Sequence, residues 1–160
     1  MLKVSAPGKC ILLGEHAVVY GHPALAVSID MRLYATISKQ KSDLKYHLID
    51  GNIMKPENHP HINDALNKIW DSDSGMLKIN VSSEIPPSAG LGSSAALSVA
   101  ITTGLIAAKK EEINLEKIST IAHKLEAEAQ GGLASPMDTS TSTHGGCILL
   151  SNEKLPYWHI

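Results

Sequence analysis

The chain has 160 residues, of which 43% are apolar and 19% charged, with a net charge of −2 and no Phe. That length suits one domain with an aliphatic core of its own. The charge balance leaves no basic footprint for nucleic acid or an anionic membrane, and no run approaches the roughly 18 apolar residues of a spanning helix.

Leu2 to Ser5 and Cys10 to Leu13 read as strands broken by Ala6-Pro7-Gly8-Lys9. Gly14-Glu15-His16 is a polar interruption, Ala17 to Tyr20 is short and apolar, and Gly21-His22-Pro23 is a turn. Ala24 to Asp30 and Arg32 to Ser38 carry the β-branched and aromatic residues of strands, and Leu44 to Ile49 reads as another before the turn Asp50-Gly51-Asn52. Asn58 to Trp70 has apolar residues at helical spacing (Ile62, Ala65, Leu66, Ile69, Trp70). Asp71 to Gly75 is a loop. Met76 to Ile85 alternates, with Leu77, Ile79 and Val81 on one face, so it predicts a half-buried strand.

Pro86-Pro87-Ser88-Ala89-Gly90-Leu91-Gly92-Ser93-Ser94 ends that strand and opens a helix from Ser94 to about Lys109. Asn114 caps a second helix with Ile118, Ile121, Ala122 and Leu125 on one face, stopping near Gly131-Gly132. Leu133 to Thr143 reads as a Ser/Thr-rich loop, and Gly146 to Ser151 as a returning strand. Strands and helices are mixed without repeats, which predicts an α+β fold of two layers with a mixed sheet. The N-terminus lacks a basic segment followed by a long apolar one, so the cytoplasm is the expected location. Cys10 and Cys147, far apart in sequence, are expected to be reduced.

Five groups of residues carry the chemistry. The glycine-rich loop before a helix N-terminus can present free N–H groups and a partial positive charge to phosphate, although Ser93 could serve as an N-cap only. It matches neither the P-loop nor the dinucleotide fingerprint. Lys9, at the bend Pro7-Gly8-Lys9, can meet a phosphate or a carboxylate, or be a solvated surface lysine. Glu15 and His16 can hold a polar substrate, or be an exposed turn. Glu126 and Glu128 point about 200° apart on one helix, so only one of them can face a ligand. Asp138, among hydroxyl residues, can orient an alcohol and accept its proton, or close an Asx-turn.

Together these stretches resemble the GHMP kinases. Three blocks carry the resemblance: Ser5-Ala6-Pro7-Gly8-Lys9 through Gly14-Glu15-His16-Ala17-Val18-Val19-Tyr20-Gly21; Ile85 to Ala96; and Ala134-Ser135-Pro136-Met137-Asp138-Thr139 through Ser142-Thr143-His144-Gly145-Gly146. The resemblance implies ATP, Mg²⁺ and phosphorylation of a small alcohol, with mevalonate favoured over phosphomevalonate, homoserine or a sugar. The competing class is a non-catalytic nucleotide-binding module.

By position, the resemblance gives Pro87, Ser88, Ala89, Gly90, Leu91, Gly92, Ser93 and Ser94 to the ATP phosphates, and Ser94 with Glu126 to the metal. One extra residue before Asp138 keeps Glu128 open as the alternative. Asp138 and Lys9 are the implied catalytic residues, and Glu15, His16 and Lys9 would hold the substrate. His144 stands where family members often carry Trp. A homodimer is implied by the resemblance alone. The family's C-terminal glycine-rich loop has no counterpart here, so residues 1–160 are expected to be the N-terminal domain, to lack the C-terminal one, and to be weak or inactive without that half.

Overall fold

The computed structural model describes residues 1–15, 20, 22–40, 47–49, 52–54, 59–70, 75–132 and 134–151. Its strands are β1 (Leu2–Leu13), β2 (Ala24–Gln40), β3 (His47–Ile49), β4 (Asn52–Met54), β5 (Met76–Ser83) and β6 (Cys147–Leu150). The helices are α1 (Pro60–Ile69), α2 (Ser93–Ala108), α3 (Leu115–Ala129) and α4 (Pro136–His144). The strands form one sheet in the order β1-β2-β5-β3-β4, with β6 also paired to β2. The β3–β5 pair is parallel and the others are antiparallel. The sheet is therefore mixed, as the α+β reading expects.

Two pairs of expected strands are single long ones. Ala6 to Lys9 does not break β1; the register against β2 shifts between Pro7 and Lys9 instead. A proline is tolerated there because β1 lies at the end of the strand order and the shift takes up the lost pairing. Likewise β2 runs straight through Asp30 and Met31. Of the expected strand at 44–49, residues 47–49 are strand, while 44–46 lie outside the described residues, as do 17–19, 21, the turn residues 50–51 and the loop residues 71–74.

The core forms where α2 meets the sheet. Leu33, Ala35 and Ile37 of β2 and Leu77, Ile79 and Val81 of β5 are buried against Ala96, Val99, Ala100, Ile101 and Leu105 of α2. Eleven of the sixteen residues of α2 are buried, so it is apolar nearly all round, as a central helix must be. Gly104 lets it approach β2: a Cβ there would lie 2.5 Å from Ile37 Cδ1. Asn114 caps α3 as expected, its side chain accepting from Lys117 N–H at 2.9 Å.

The Ser/Thr-rich segment is the largest departure from expectation. Pro136 to His144 is helix α4, capped by Ser135, whose hydroxyl accepts from Met137 N–H. Pro at the first turn and Ser before it are start signals. The hydroxyl run hid them, because Thr and Ser favour turns when exposed. Here they are buried: Thr139, Ser140, Thr141 and Ser142 are each 2% exposed or less. Thr141 and Thr143 donate back to the carbonyls of Met137 and Thr139 at 2.7 Å and Thr139 to Pro136 O at 3.3 Å, so the threonine hydroxyls are satisfied inside the helix, while Ser140 Oγ meets Ser119 Oγ of α3 at 3.3 Å.

Cys10 and Cys147 are both free. They pair with Val27 from opposite sides, which puts them two strands apart. That is about 10 Å, beyond the reach of a disulfide.

Candidate active site

The glycine-rich loop is shaped by backbone that alternates into the left-handed region. Ser88, Gly90 and Gly92 have φ of 57°, 72° and 74°. Alternation of this kind turns successive N–H groups towards one concavity, an arrangement that suits anions. Gly92 is also the N-cap of α2 and makes no side-chain cap, so the helix begins at Ser93. Ser93 is accordingly the first helical residue and not the cap, which leaves the N–H groups of that first turn available.

β1 is fastened to this loop. Lys9 N–H donates to Leu91 O at 2.9 Å. A Cβ on Gly8 would lie 2.8 Å from Leu91 O, and one on Gly92 would lie 2.7 Å from Lys9 Cγ. Only glycines let the bend of β1 and the loop come this close. The result is a buried lysine, 5% exposed, laid across the start of α2.

Lys9 Nζ lies 3.1 Å from Asp138 Oδ1. Asp138 sits in the first turn of α4, where the helix dipole favours a carboxylate. The structure thus joins residues 129 positions apart, from the first and third of the blocks that the sequence singles out.

On the neighbouring side Ser94 Oγ donates to Glu126 Oε1 at 2.8 Å. Glu126 stands behind Ser94 on α3 and is 2% exposed. Burial pushes its carboxyl up to about 7; the Asp138 charge adds to this, while the bonds from Ser94 and Gln130 and the Lys9 charge oppose it. Its second oxygen, Oε2, is buried with no hydrogen-bond partner among the described residues. Glu128 points away and pairs with Lys68 of α1 at the surface. Geometry therefore separates the two acids as the 200° argument requires, and places Glu126 beside Ser94.

A cleft of about 550 Å³ opens here, lined by Lys9, Asp138, Pro86 to Ser94, and Leu33, Val81, Ser83 and Leu97; Glu126, behind Ser94, is not in the lining. Two further lining residues, His59 and His61, carried no signal in the sequence. They flank Pro60 at the start of α1, about thirty positions before the loop, and only the packing of α1 on α2 brings them there. Their rings are 5.9 Å apart, and His61 Nδ1 lies 2.9 Å from Ser98 Oγ. Burial, with a smaller contribution from His59, pulls His61 down to about 4, and burial also lowers His59. His61 is therefore neutral at pH 7, which suits an uncharged planar group better than a phosphate.

Glu15 is exposed just past β1 and is not among the residues lining the cleft. His16 lies outside the described residues. His144 is not in the cleft lining; its Nε2 lies 3.6 Å from Glu116 in the first turn of α3. No helix among the described residues is long and apolar enough to cross a membrane.

The donor set fits a small hard cation. One hydroxyl and one carboxylate, whose second oxygen is buried and unpaired among the described residues, beside a phosphate-type loop, is the kind of partial site Mg²⁺ takes when phosphates supply its other ligands.

Comparison with known proteins agrees with this geometry. The sequence model described as the GHMP kinases N terminal domain matches residues 60–146, which include the loop, Glu126 and Asp138. A mevalonate kinase of Methanothermobacter thermautotrophicus is 38% identical over 94% of the chain, which covers 50% of that protein. The chain thus spans about half the length of the curated relatives it matches. The crystal structure of the Methanococcus jannaschii mevalonate kinase superposes with a TM-score of 0.83 at 29% identity, over 99% of this chain and 55% of that one. A Lactococcus lactis galactokinase complexed with galactose shares the fold with a TM-score of 0.82 at 16% identity, over 99% of this chain and 46% of that one. The loop, the buried pairs on either side of it and the matched sequence agree, and the chain belongs to the GHMP kinase family, of which it carries the N-terminal domain.

Proposed function

We propose that this chain supplies the ATP-binding and catalytic half of a cleft that phosphorylates mevalonate. One observation carries the reading. The Lys9–Asp138 ion pair and the Ser94–Glu126 pair flank a single loop of left-handed turns at a helix N-terminus. Phosphoryl transfer needs positioning and charge neutralisation more than covalent chemistry, and this arrangement offers both.

In this reading the N–H groups of Ser88 to Ser94 take the phosphate oxygens, and Lys9 neutralises charge on the transferred group. Asp138, held by Lys9, orients the acceptor hydroxyl and takes its proton as the new P–O bond forms and the bond from the γ-phosphorus to the β,γ-bridging oxygen breaks, with ADP leaving. Ser94 and Glu126 would hold Mg²⁺, which when bound supplies further neutralisation across the β- and γ-phosphates. His59 and neutral His61, at the rim, suit the base of the nucleotide. Glu15 and His16 belong to the acceptor side as an expectation from the resemblance.

Mevalonate as acceptor rests on the relatives at 31–38% identity, which are mevalonate kinases. The C-terminal half, a homodimer and a cytoplasmic location also belong to this proposal. The test is a coupled ADP-release assay with the C-terminal half of the Methanothermobacter relative supplied, offering mevalonate, phosphomevalonate, homoserine and galactose in turn. Release with mevalonate alone is expected. Release with another acceptor reassigns the substrate, and release with none removes the kinase reading.

A further inference from the structure

We infer that Gln130 is a positioning residue that fixes which oxygen of Glu126 is left for a divalent cation. The inference rests on the metal reading of Ser94 and Glu126 above, and goes beyond it to a residue that neither the sequence motifs nor the cleft lining single out.

Gln130 is the C-cap of α3, and its own N–H closes on Glu126 O at 3.0 Å. Its side chain then turns back along the helix. Nε2 donates to Glu126 Oε1 at 3.1 Å and lies 3.4 Å from Ser94 Oγ. Gly131 and Gly132 follow with φ of 70° and 96°, so the main chain leaves at once and the amide keeps its place over the carboxylate.

The residue as a whole is exposed. An exposed glutamine amide is fully satisfied by water, so packing does not require this contact. It nevertheless reaches a carboxylate that is 2% exposed. Oε1 thereby accepts from two donors, Ser94 Oγ–H and Gln130 Nε2–H, while Oε2 accepts from none among the described residues. Two neutral donors on one oxygen hold the carboxylate plane without cancelling its charge. A lysine or arginine at position 130 would orient the group equally well, but would compete with the cation for it. Outer-sphere partners of this kind typically govern metal affinity by about 10- to 100-fold.

The test uses the full chain with Mn²⁺ in place of Mg²⁺ and a non-hydrolysable ATP analogue, with free Mn²⁺ followed by electron paramagnetic resonance. Gln130→Met keeps the side-chain length and removes the donor. It should weaken Mn²⁺ binding by about tenfold or more, with an unchanged melting temperature. Gln130→Ala should do the same. Wild-type affinity in Gln130→Met, or a loss of affinity matched by a lower melting temperature, overturns the inference. Glu126→Gln is the control that separates the two levels: if it binds Mn²⁺ like the unsubstituted chain, the metal reading itself is wrong. An unsubstituted chain that takes up no Mn²⁺ with the analogue overturns both.

Discussion

Asp138 and Glu126 are acids on consecutive helices beside the same loop, and the protein holds them in opposite ways. Asp138 stands at the start of α4 with a buried lysine 3.1 Å away. Glu126 stands near the end of α3, where the dipole is unfavourable, and has only neutral donors. The first acid has its cation already, 3.1 Å away on Lys9. The second is buried with one oxygen unpaired among the described residues, and its carboxyl is pushed up to about 7. A buried acid left short of positive charge is costly unless something else brings that charge. Under the proposed function the contrast divides the labour: Asp138 would serve the acceptor and Glu126 would hold a metal.

The largest expected effect tests the first half of the contrast. Asp138→Asn should lower turnover by about 10²- to 10⁴-fold with little change in nucleotide affinity, read from the ADP-release assay and from nucleotide binding. Near-normal turnover would remove Asp138 from the chemistry. Next is Lys9→Met, which strands a carboxylate in a largely buried site. It should cost about 3 kcal/mol in urea unfolding at pH 7, because breaking a buried pair leaves an uncompensated charge. A loss well under 1 kcal/mol would mean that water already serves Asp138 and the ion pair is incidental.

Glu126→Gln tests the second half, and it runs the other way. A carboxyl raised from 4.5 to about 7 in the folded chain favours its protonated form there. Wild-type stability from this group is therefore full below pH 4.5, declines as pH rises, and is lost above about 7. Without the metal, Glu126→Gln should flatten that decline and be more stable at pH 8, by up to about 3 kcal/mol. Parallel stability profiles for the two proteins would contradict the buried, cation-poor setting. The smallest effect belongs to Ser94→Ala. Loss of one hydroxyl donor should cost about 1 kcal/mol, and more at pH 8 than at pH 5, because the bond is stronger to a carboxylate than to its acid.

Much of this site was legible in the sequence because its parts are local signals. Glycines beside a helix start, a lysine after Pro-Gly and an aspartate among hydroxyls each announce a backbone feature within a few residues. The choice of Glu126 over Glu128 was legible only as an alternative, since helical geometry says that one acid faces the site without saying which. Packing decides it: Lys68 on α1 takes Glu128 at the surface, and Ser94 on α2 takes Glu126 inside. His59 and His61 were invisible for the same reason, as they reach the cleft through the docking of α1. Helix α4 was misread because Ser and Thr lose their turn preference once tertiary burial leaves the helix carbonyls as their nearest acceptors. The merged strands β1 and β2 show that a proline can shift register, and an aspartate be carried through, without ending a strand.

The most direct measurement is a crystal structure of the chain with Mg²⁺ and a non-hydrolysable ATP analogue. The account predicts triphosphate density along Ser88 to Ser94, the terminal phosphate beside Lys9 Nζ, and a cation between Ser94 Oγ and Glu126 Oε2. A triphosphate bound elsewhere, or a cation on Asp138 with Glu126 still holding Ser94, would contradict the division between the two acids.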